Sequence, residues 1–558
     1  MESKETPVEA SGSAEGETSE EISGKTTQAV NSETMEKTLE DPPASSGPES
    51  SEPPAKVKNP QIEFQTPGDS PYHAFTLQDV IQMTIKNNVS IAVEEFRSKI
   101  KKEEVVEQRA DFDPNLSMEF NIDDSNRQFA SSFADPNVSD NRTTSWSAGI
   151  DQKLVTGTEY ELKYEGAKDT TNSTFSGLNP QYGGDLTFSV TQPLLKNFGI
   201  DVNKTDIYIA NNNLAISDYE FKDKVIEIIS DAENIYWDLV FSIEDLKVKQ
   251  KSVERAKDLE RRVKAQVEVG TLAPLEILQA QSEVASREEF VLDSEKLIQD
   301  NDDKVKNIIN LSFASPEGQK PIRPVDRPKF DIGPPIHLEE SINTAIAQRP
   351  DYLQLKKELD SRNIMVKFNE NQTYPSLDLV GSFNLNGISG NSSPPPPPFN
   401  DFHGDYGTAF DNMLDPTFRV WEVGVKLNYP LGNRAARSRL SASKLEASQM
   451  LLEIKNKEKD IIIEVREAVR KINTDIKRVQ AARIARKLAE ETLSAEEKKF
   501  EVGLSTSFNV LEFQTDLAEQ QSKELKAIID YNKSHINLRK VLASTLEENN
   551  IHLATPSS

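Results

Sequence analysis

The chain has 558 residues, no cysteine, 28% charged residues and a formal net charge of −27, with a mean hydropathy of −0.59. It is too long for one small core and too polar for a bundle of membrane-spanning helices, since no stretch approaches the roughly 18 consecutive apolar residues such a helix needs. The lack of cysteine excludes disulfides, cysteine-ligated zinc and a cysteine-linked lipid within these residues, which leaves soluble proteins and outer-membrane β-barrels, whose half-polar strands give only a weak hydropathy signal.

Residues 1–70 carry 15 Asp and Glu against 5 Lys, with Phe64 the single aromatic. So little apolar surface does not offset the entropy of ordering, and the segment is expected to be a disordered acidic tail rich in Ser and Pro. The opening "MESKETPVEASG" has neither the basic start nor the apolar core of a secretion signal. An exported form therefore implies a signal that was removed or that lies upstream.

From residue 71 the chain contains one plan twice. "FTLQDVIQMTIKNNVSI" (75–91) is expected to form short helices, and 261 residues on "IHLEESINTAIAQRPDY" (336–352) aligns Leu77 with Leu338, Ile81 with Ile342, and Ile85 with Ile346. Next, Leu116, Met118, Phe120 and Ile122 alternate with Ser117, Glu119, Asn121 and Asp123, the period of a strand with one apolar face. The alternation returns at Trp146, Ala148 and Ile150, at Tyr160, Leu162 and Tyr164, and at Leu186, Phe188 and Val190; "TGT" (156–158) predicts a tight turn. In the second copy it returns at Leu377 and Leu379 and at Trp421, Val423, Val425 and Leu427, with 387–418 expected to be a long polar connection made extended by "PPPPP" at 394–398.

Then come Gly199 and Gly270, and at an offset of 233 Gly432 and Gly503, each pair enclosing 70 residues without proline. In the first, Ile229, Ala232, Tyr236, Leu239, Ile243 and Leu246 keep a heptad-like spacing, which predicts a helix of roughly 105 Å. "VEVGTLAPLEILQAQ" (267–281) and "FEVGLSTSFNVLEFQ" (500–514) are the two tips, followed by helical runs over about 275–312 and 508–546. The expected domains are thus a repeat at 71–320, a Pro-rich linker at 321–335, a second repeat at 336–548 and a flexible C-terminus at 549–558.

This order, with "QPLLKNFG" (192–199) leaving the strands and "VGT" (269–271) and "VGL" (502–504) where long helices turn back, resembles the TolC family of outer-membrane efflux proteins. The resemblance implies an α+β membrane protein: a homotrimer whose strands close one transmembrane β-barrel in outer-membrane lipid, continued by a long α-helical coiled-coil barrel through the periplasm of a diderm bacterium. It implies the exit duct of a tripartite efflux or type I secretion system, working with a periplasmic adaptor protein and an inner-membrane RND pump or ABC exporter, and not with nucleic acid. The adaptor would meet Val269, Gly270, Thr271, Val502, Gly503 and Leu504, although both glycines would also serve simply to end a helix. Family members narrow the tip with aspartates, and the aligned positions are Glu276, Asn509 and Glu512. Asn509 is uncharged, so one expected ring of like charges, which would attract cations, is absent. The family pattern has two strands per repeat, so the four alternating segments of the first copy favour eighteen strands per trimer; twelve remain if the pair around Gly157 is a hairpin outside the membrane.

No catalytic signature competes with this reading. His73, His337, His403, His535 and His552 are scattered, and no Walker loop, G-x-G-x-x-G or G-x-S-x-G is present, so a passive conduit with no cofactor, no metal and no enzymatic activity is expected. The rival readings are a coiled-coil structural scaffold of the cell envelope and the periplasmic adaptor itself; neither accounts for period-two strands at matching places of both copies.

Overall fold

The computed structural model describes residues 71–128, 136–392 and 402–553. The acidic tail, the proline run at 394–398 and residues 554–558 lie outside them. The first half runs β1 (His73–Phe75), α1 (Leu77–Asn87), α2 (Val89–Ala110), β2 (Asn115–Gln128), β3 (Val138–Lys153), β4 (Glu159–Thr171), β5 (Leu178–Pro193), α3 (Ile200–Asn203), α4 (Thr205–Glu268), α5 (Leu275–Ile308) and α6 (Pro316–Gln319). The second runs β6 (Ile322–Pro324), α7 (Leu338–Gln348), α8 (Pro350–Asn371), β7 (Ser376–Ser392), α9 (Tyr406–Leu414), β8 (Arg419–Asn428), α10 (Arg434–Glu501), α11 (Ser507–Leu542) and α12 (Thr545–Glu548).

Local chemistry sets the helix starts. Thr76 and Asp79 form a reciprocal capping box on α1, the Asn88 side chain caps α2, and Pro350 occupies the first turn of α8, where its missing N–H is not needed. α4 has 64 residues and α10 has 68, or about 96 and 102 Å at 1.5 Å per residue. The first falls short of its 70-residue span because Lys204, outside helical geometry, separates the single turn of α3 from α4. Ile229, Ala232, Tyr236 and Leu239 are fully buried along α4, against which α2, α5, α8 and α11 all pack.

Six strands form one antiparallel sheet in the order β2-β3-β4-β5-β7-β8. The pair around Gly157 is continuous with it, Leu162 lying opposite both Ile150 and Phe188, so that hairpin is not detached from the sheet. The connection expected over 387–418 is much shorter than its composition suggests: pairing with β5 carries β7 on to Ser392, and α9 occupies Tyr406–Leu414. Among the described residues no helix is long and apolar enough to cross a membrane.

A parallel pair, β1 with β6, ties the start of the first repeat to the stretch expected as a linker. Tyr236 locks it from α4: its buried hydroxyl donates to Asp326 Oδ2 at 2.8 Å and lies 3.1 Å from the Phe75 carbonyl, while Leu77 N donates to the same Asp326 oxygen at 2.8 Å. At the other end, Ile551 and Leu553 pack against Ile81, Ile226 and Leu546, so the described part of the C-terminal stretch is attached by apolar contact. Tyr236→Phe removes one hydroxyl and leaves Asp326 short of a donor in a buried place. The expected loss is about 1–3 kcal/mol, seen as a lower midpoint in thermal unfolding of the detergent-purified protein; an unchanged midpoint would show that the strap does not depend on this bond.

Candidate functional site

The two tips share a backbone solution. Gly270 has φ +80° and Gly503 φ +76°, with Thr271 N donating to the Gln266 carbonyl at 2.9 Å and Leu504 N to the Lys499 carbonyl at 2.8 Å. These six-to-one bonds close a helix end and need a left-handed residue, which glycine supplies without a Cβ penalty. Within this chain nothing lies within 4 Å of a Cβ built at either glycine, so φ alone, not a close backbone neighbour, requires them here. Val269, Val502 and Leu504 stand exposed at the turns, a concentration of apolar side chains in water that suits a partner surface.

The side-chain chemistry of the tips differs. The second is capped by Thr506, which accepts from Asn509 N, and the Asn509 side chain reaches Ser505 Oγ at 3.4 Å. Glu496 accepts from Lys499 Nζ at 2.8 Å and Ser505 Oγ at 2.5 Å, and these two partners hold its carboxyl below the usual range, Lys499 first. Glu276, in the first turn of α5, accepts from Ser507 Oγ and so joins one tip to the other. Glu512 is exposed on α11. Glu276 and Asn509 are therefore tied into the tips themselves, whereas Glu512 stands exposed with no side-chain partner among the described residues.

One residue that sequence reasoning missed lies just above. Arg287 of α5 is 4% exposed, and all its donors are used. Nε donates to Glu283 at 2.8 Å, Nη1 to the Ser252 carbonyl at 3.1 Å and Gln514 Oε1 at 3.2 Å, and Nη2 to the Leu511 carbonyl at 2.9 Å and Thr515 Oγ1 at 2.8 Å. The planar fork thus staples α5 to α4 and α11, helices that also share an apolar core through Ala256, Leu259, Val284, Val510 and Leu517. Burial pushes the guanidinium pKa down, against which Glu283 acts. The available signal was asymmetry: at the 233-residue offset Arg287 faces neutral Gln520. Beyond Arg287, Phe241, Lys249, Phe290, Ser522 and Lys526 line an open cavity of about 540 Å³ among α4, α5 and α11.

At the other end of the helices, the strand register sets one apolar residue from every strand in a row: Leu116, Ile150, Leu162, Phe188, Phe383 and Trp421. Their exposures run from 40% to 68%. The residues one step along face the opposite way and are polar, as in the row Glu119, Ser147, Glu165, Asp185 and Asn386. The sheet is thus polar on one side and apolar on the other, and among the described residues it ends in two open edges, β2 and β8.

Each repeat thus joins strands of an apolar-banded sheet to a long helix of about 96–102 Å that turns back at a tip. Residues 341–544, most of the second repeat, match the family "Outer membrane efflux protein". The solved CmeC outer membrane channel of Campylobacter jejuni aligns with 91% of this chain and 98% of its own at a TM-score of 0.60 and 13% identity. VceC of Vibrio cholerae aligns over 84% and 96% at 0.59 and 14%. Nodulation protein T of Rhizobium leguminosarum bv. trifolii is 22% identical over 229 residues, 40% of this chain; the chain spans 42% of that relative's length. The resemblance to TolC-like outer membrane efflux proteins is thus shown: residues 341–544 carry the efflux-protein domain, and the chain has the fold of these channels.

Arg287→Met keeps the apolar stem but strips the donors from a carbonyl-lined site. Removing one partner of a buried charged network costs about 3–5 kcal/mol. Chymotrypsin is expected to cut at Phe508 and Phe513 several-fold faster, the remainder of the protein keeping its resistance; unchanged cleavage would mean that Arg287 does not hold the two tips together.

Proposed function

We propose that the protein is the exit duct of a tripartite efflux or type I secretion system, a passive conduit through outer membrane and periplasm. The observation that carries this reading is the apolar row crossing all six strands and stopping at two unpaired edges, β2 and β8. Three copies joined edge to edge would leave no backbone group unpaired in hydrocarbon, the condition any spanning sheet must meet, and would close eighteen strands.

The helices support the same assembly. α8 and α11 each pack against both α10 and α4. Their counterparts α2 and α5 pack along α4 and leave Val89, Val93, Phe96 and Phe290 exposed, while α10 exposes Leu445, Leu452, Ile463, Ile484 and Leu488. If the two repeats are to have equivalent surroundings, the free side of α10 takes α2 and α5 of the next copy, and the pattern closes after three. The tips then form one far rim, with Val269, Gly270, Thr271, Val502, Gly503 and Leu504 offered to a periplasmic adaptor, and an inner-membrane RND pump or ABC exporter supplies the energy.

Imaging of the detergent-extracted protein tests the reading. The expected result is a threefold particle with a detergent belt around eighteen strands and a helical tube of about 100 Å; belt-free rods would overturn it in favour of a scaffold. A second measurement concerns the gate, for which Glu512 supplies an exposed charge in the first two turns of α11. Glu512→Gln is expected to weaken cation selectivity or divalent block of single-channel current, and unchanged current would remove it from the gate.

A further inference from the structure

The helix α9 has no part in the conduit just described. It lies on the sheet, and the sheet is shaped to receive it: in register across three strands, Gly166 stands opposite Gly184 and Gly184 opposite Gly387, all on the apolar face. A methyl added at Gly387 would strike the Ala409 carbonyl and Met413, and one at Gly166 the rings of Trp146 and the hydroxyl of Tyr406. The glycines form a floor that lets a helix backbone approach closely. Ala409 and Met413, the underside of α9, are fully buried against it.

Its orientation is fixed. Asn412 Nδ2 donates to the Ile388 carbonyl at 3.0 Å, and Ser389 Oγ to the Asp405 carbonyl at 2.5 Å, both on the part of β7 beyond Gly387. At helical spacing Thr408, Asp411 and Asn412 share this outer flank, whereas Tyr406, Phe410 and Leu414 share the flank toward the apolar rows. There Tyr406 packs on Trp146, ring centres 4.8 Å apart, and Phe410 meets Tyr164 edge-on at 6.0 Å. Phe410 and Leu414 are nevertheless 40% and 53% exposed. One row further out the strands turn polar, with Lys168 opposite Tyr182, so α9 marks the boundary at which the apolar band ends.

We infer that α9 is an interfacial helix lying on the lipid-facing side of the barrel at its outer rim, with Phe410 and Leu414 among the acyl chains of the outer leaflet and Thr408 and Asp411 in water. Its occupant is the lipid, not a protein, because the exposed apolar flank continues the band that the strands present to hydrocarbon. Its charged residues, Asp405 and Asp411, are acidic, so the contact depends on apolar area and requires no anionic headgroup. The inference rests on the barrel reading, and the test separates the two.

The chain has three tryptophans, so Trp146→Phe, Trp237→Phe and Trp421→Phe together give a dark background. Full-length protein with Phe410→Trp or Asp411→Trp added is reconstituted in phosphatidylcholine vesicles with plain or brominated acyl chains. The Phe410→Trp reporter is expected to lose emission about two-fold in brominated vesicles and to resist iodide, as an interfacial side chain would, and the Asp411→Trp reporter to show the reverse. Quenching of the Phe410→Trp reporter by iodide alone would overturn the inference. Protein keeping only Trp421, in the middle of the band, is the control: if brominated chains quench it, the barrel stands whatever α9 does, and if they do not, the barrel reading fails and the inference with it.

Discussion

A sheet edge carries a line of backbone N–H and C=O groups that must be paired or wet, and in hydrocarbon each unpaired group costs several kcal/mol. The six-stranded sheet of this chain presents that problem twice, along β2 and along β8, while the apolar face between them demands removal from water. Among the described residues neither demand is met. In the proposed trimer the rest of the architecture would follow from this incompleteness: strands whose two faces meet different solvents, helices whose outer sides take a neighbour, and a repeat by which three chains supply surroundings for six similar units.

Duplication constrains the backbone more tightly than the side chains. Both tips use a glycine at positive φ and the same six-to-one bond, because any helix that turns back so abruptly meets the same steric limit. The polar chemistry is divided instead. Glu276 aligns with Asn509, Arg287 with Gln520 and Ser507 with Pro274, and in each pair the residue with the stronger polar group makes the contact from one hairpin to the other. Two identical hairpins would present like groups to each other; divergence gives each donor an acceptor. The cross-tip joint is thus a product of asymmetry within a symmetric frame.

Long periodic elements were legible in the sequence because their signal accumulates. Alternation over five or more residues marked five of the six strands, with Leu377 and Leu379 alone pointing to β7, and proline-free spans between glycines marked both long helices. What escaped was short or non-local. β1 and β6 have three residues each, too few for any period, and their pairing is held by Tyr236, far along the chain. The Arg287 staple joins carbonyls and side chains of α4 and α11 that become neighbours only after packing. The cap of α11 is concealed in the same way: Asn509 reads as a gate position, and nothing singles out Thr506 as the residue that caps it.

The failure at 387–418 has a different cause. Its glycines, prolines and aspartates indicate a solvated loop, yet Ala409, Phe410, Met413 and Leu414 keep helical spacing within it. The lapse in strand alternation at Gly166, Gly184 and Gly387 and the presence of this helix are one feature: where the strands give up apolar side chains, α9 restores the apolar surface from above. Three glycines weaken their strands, since glycine loses more backbone entropy than other residues and packs nothing. That loss is offset only if the helix stays seated, which makes its apolar contacts with Trp146 and Tyr164 a condition for the stability of β4, β5 and β7 as well as for its own.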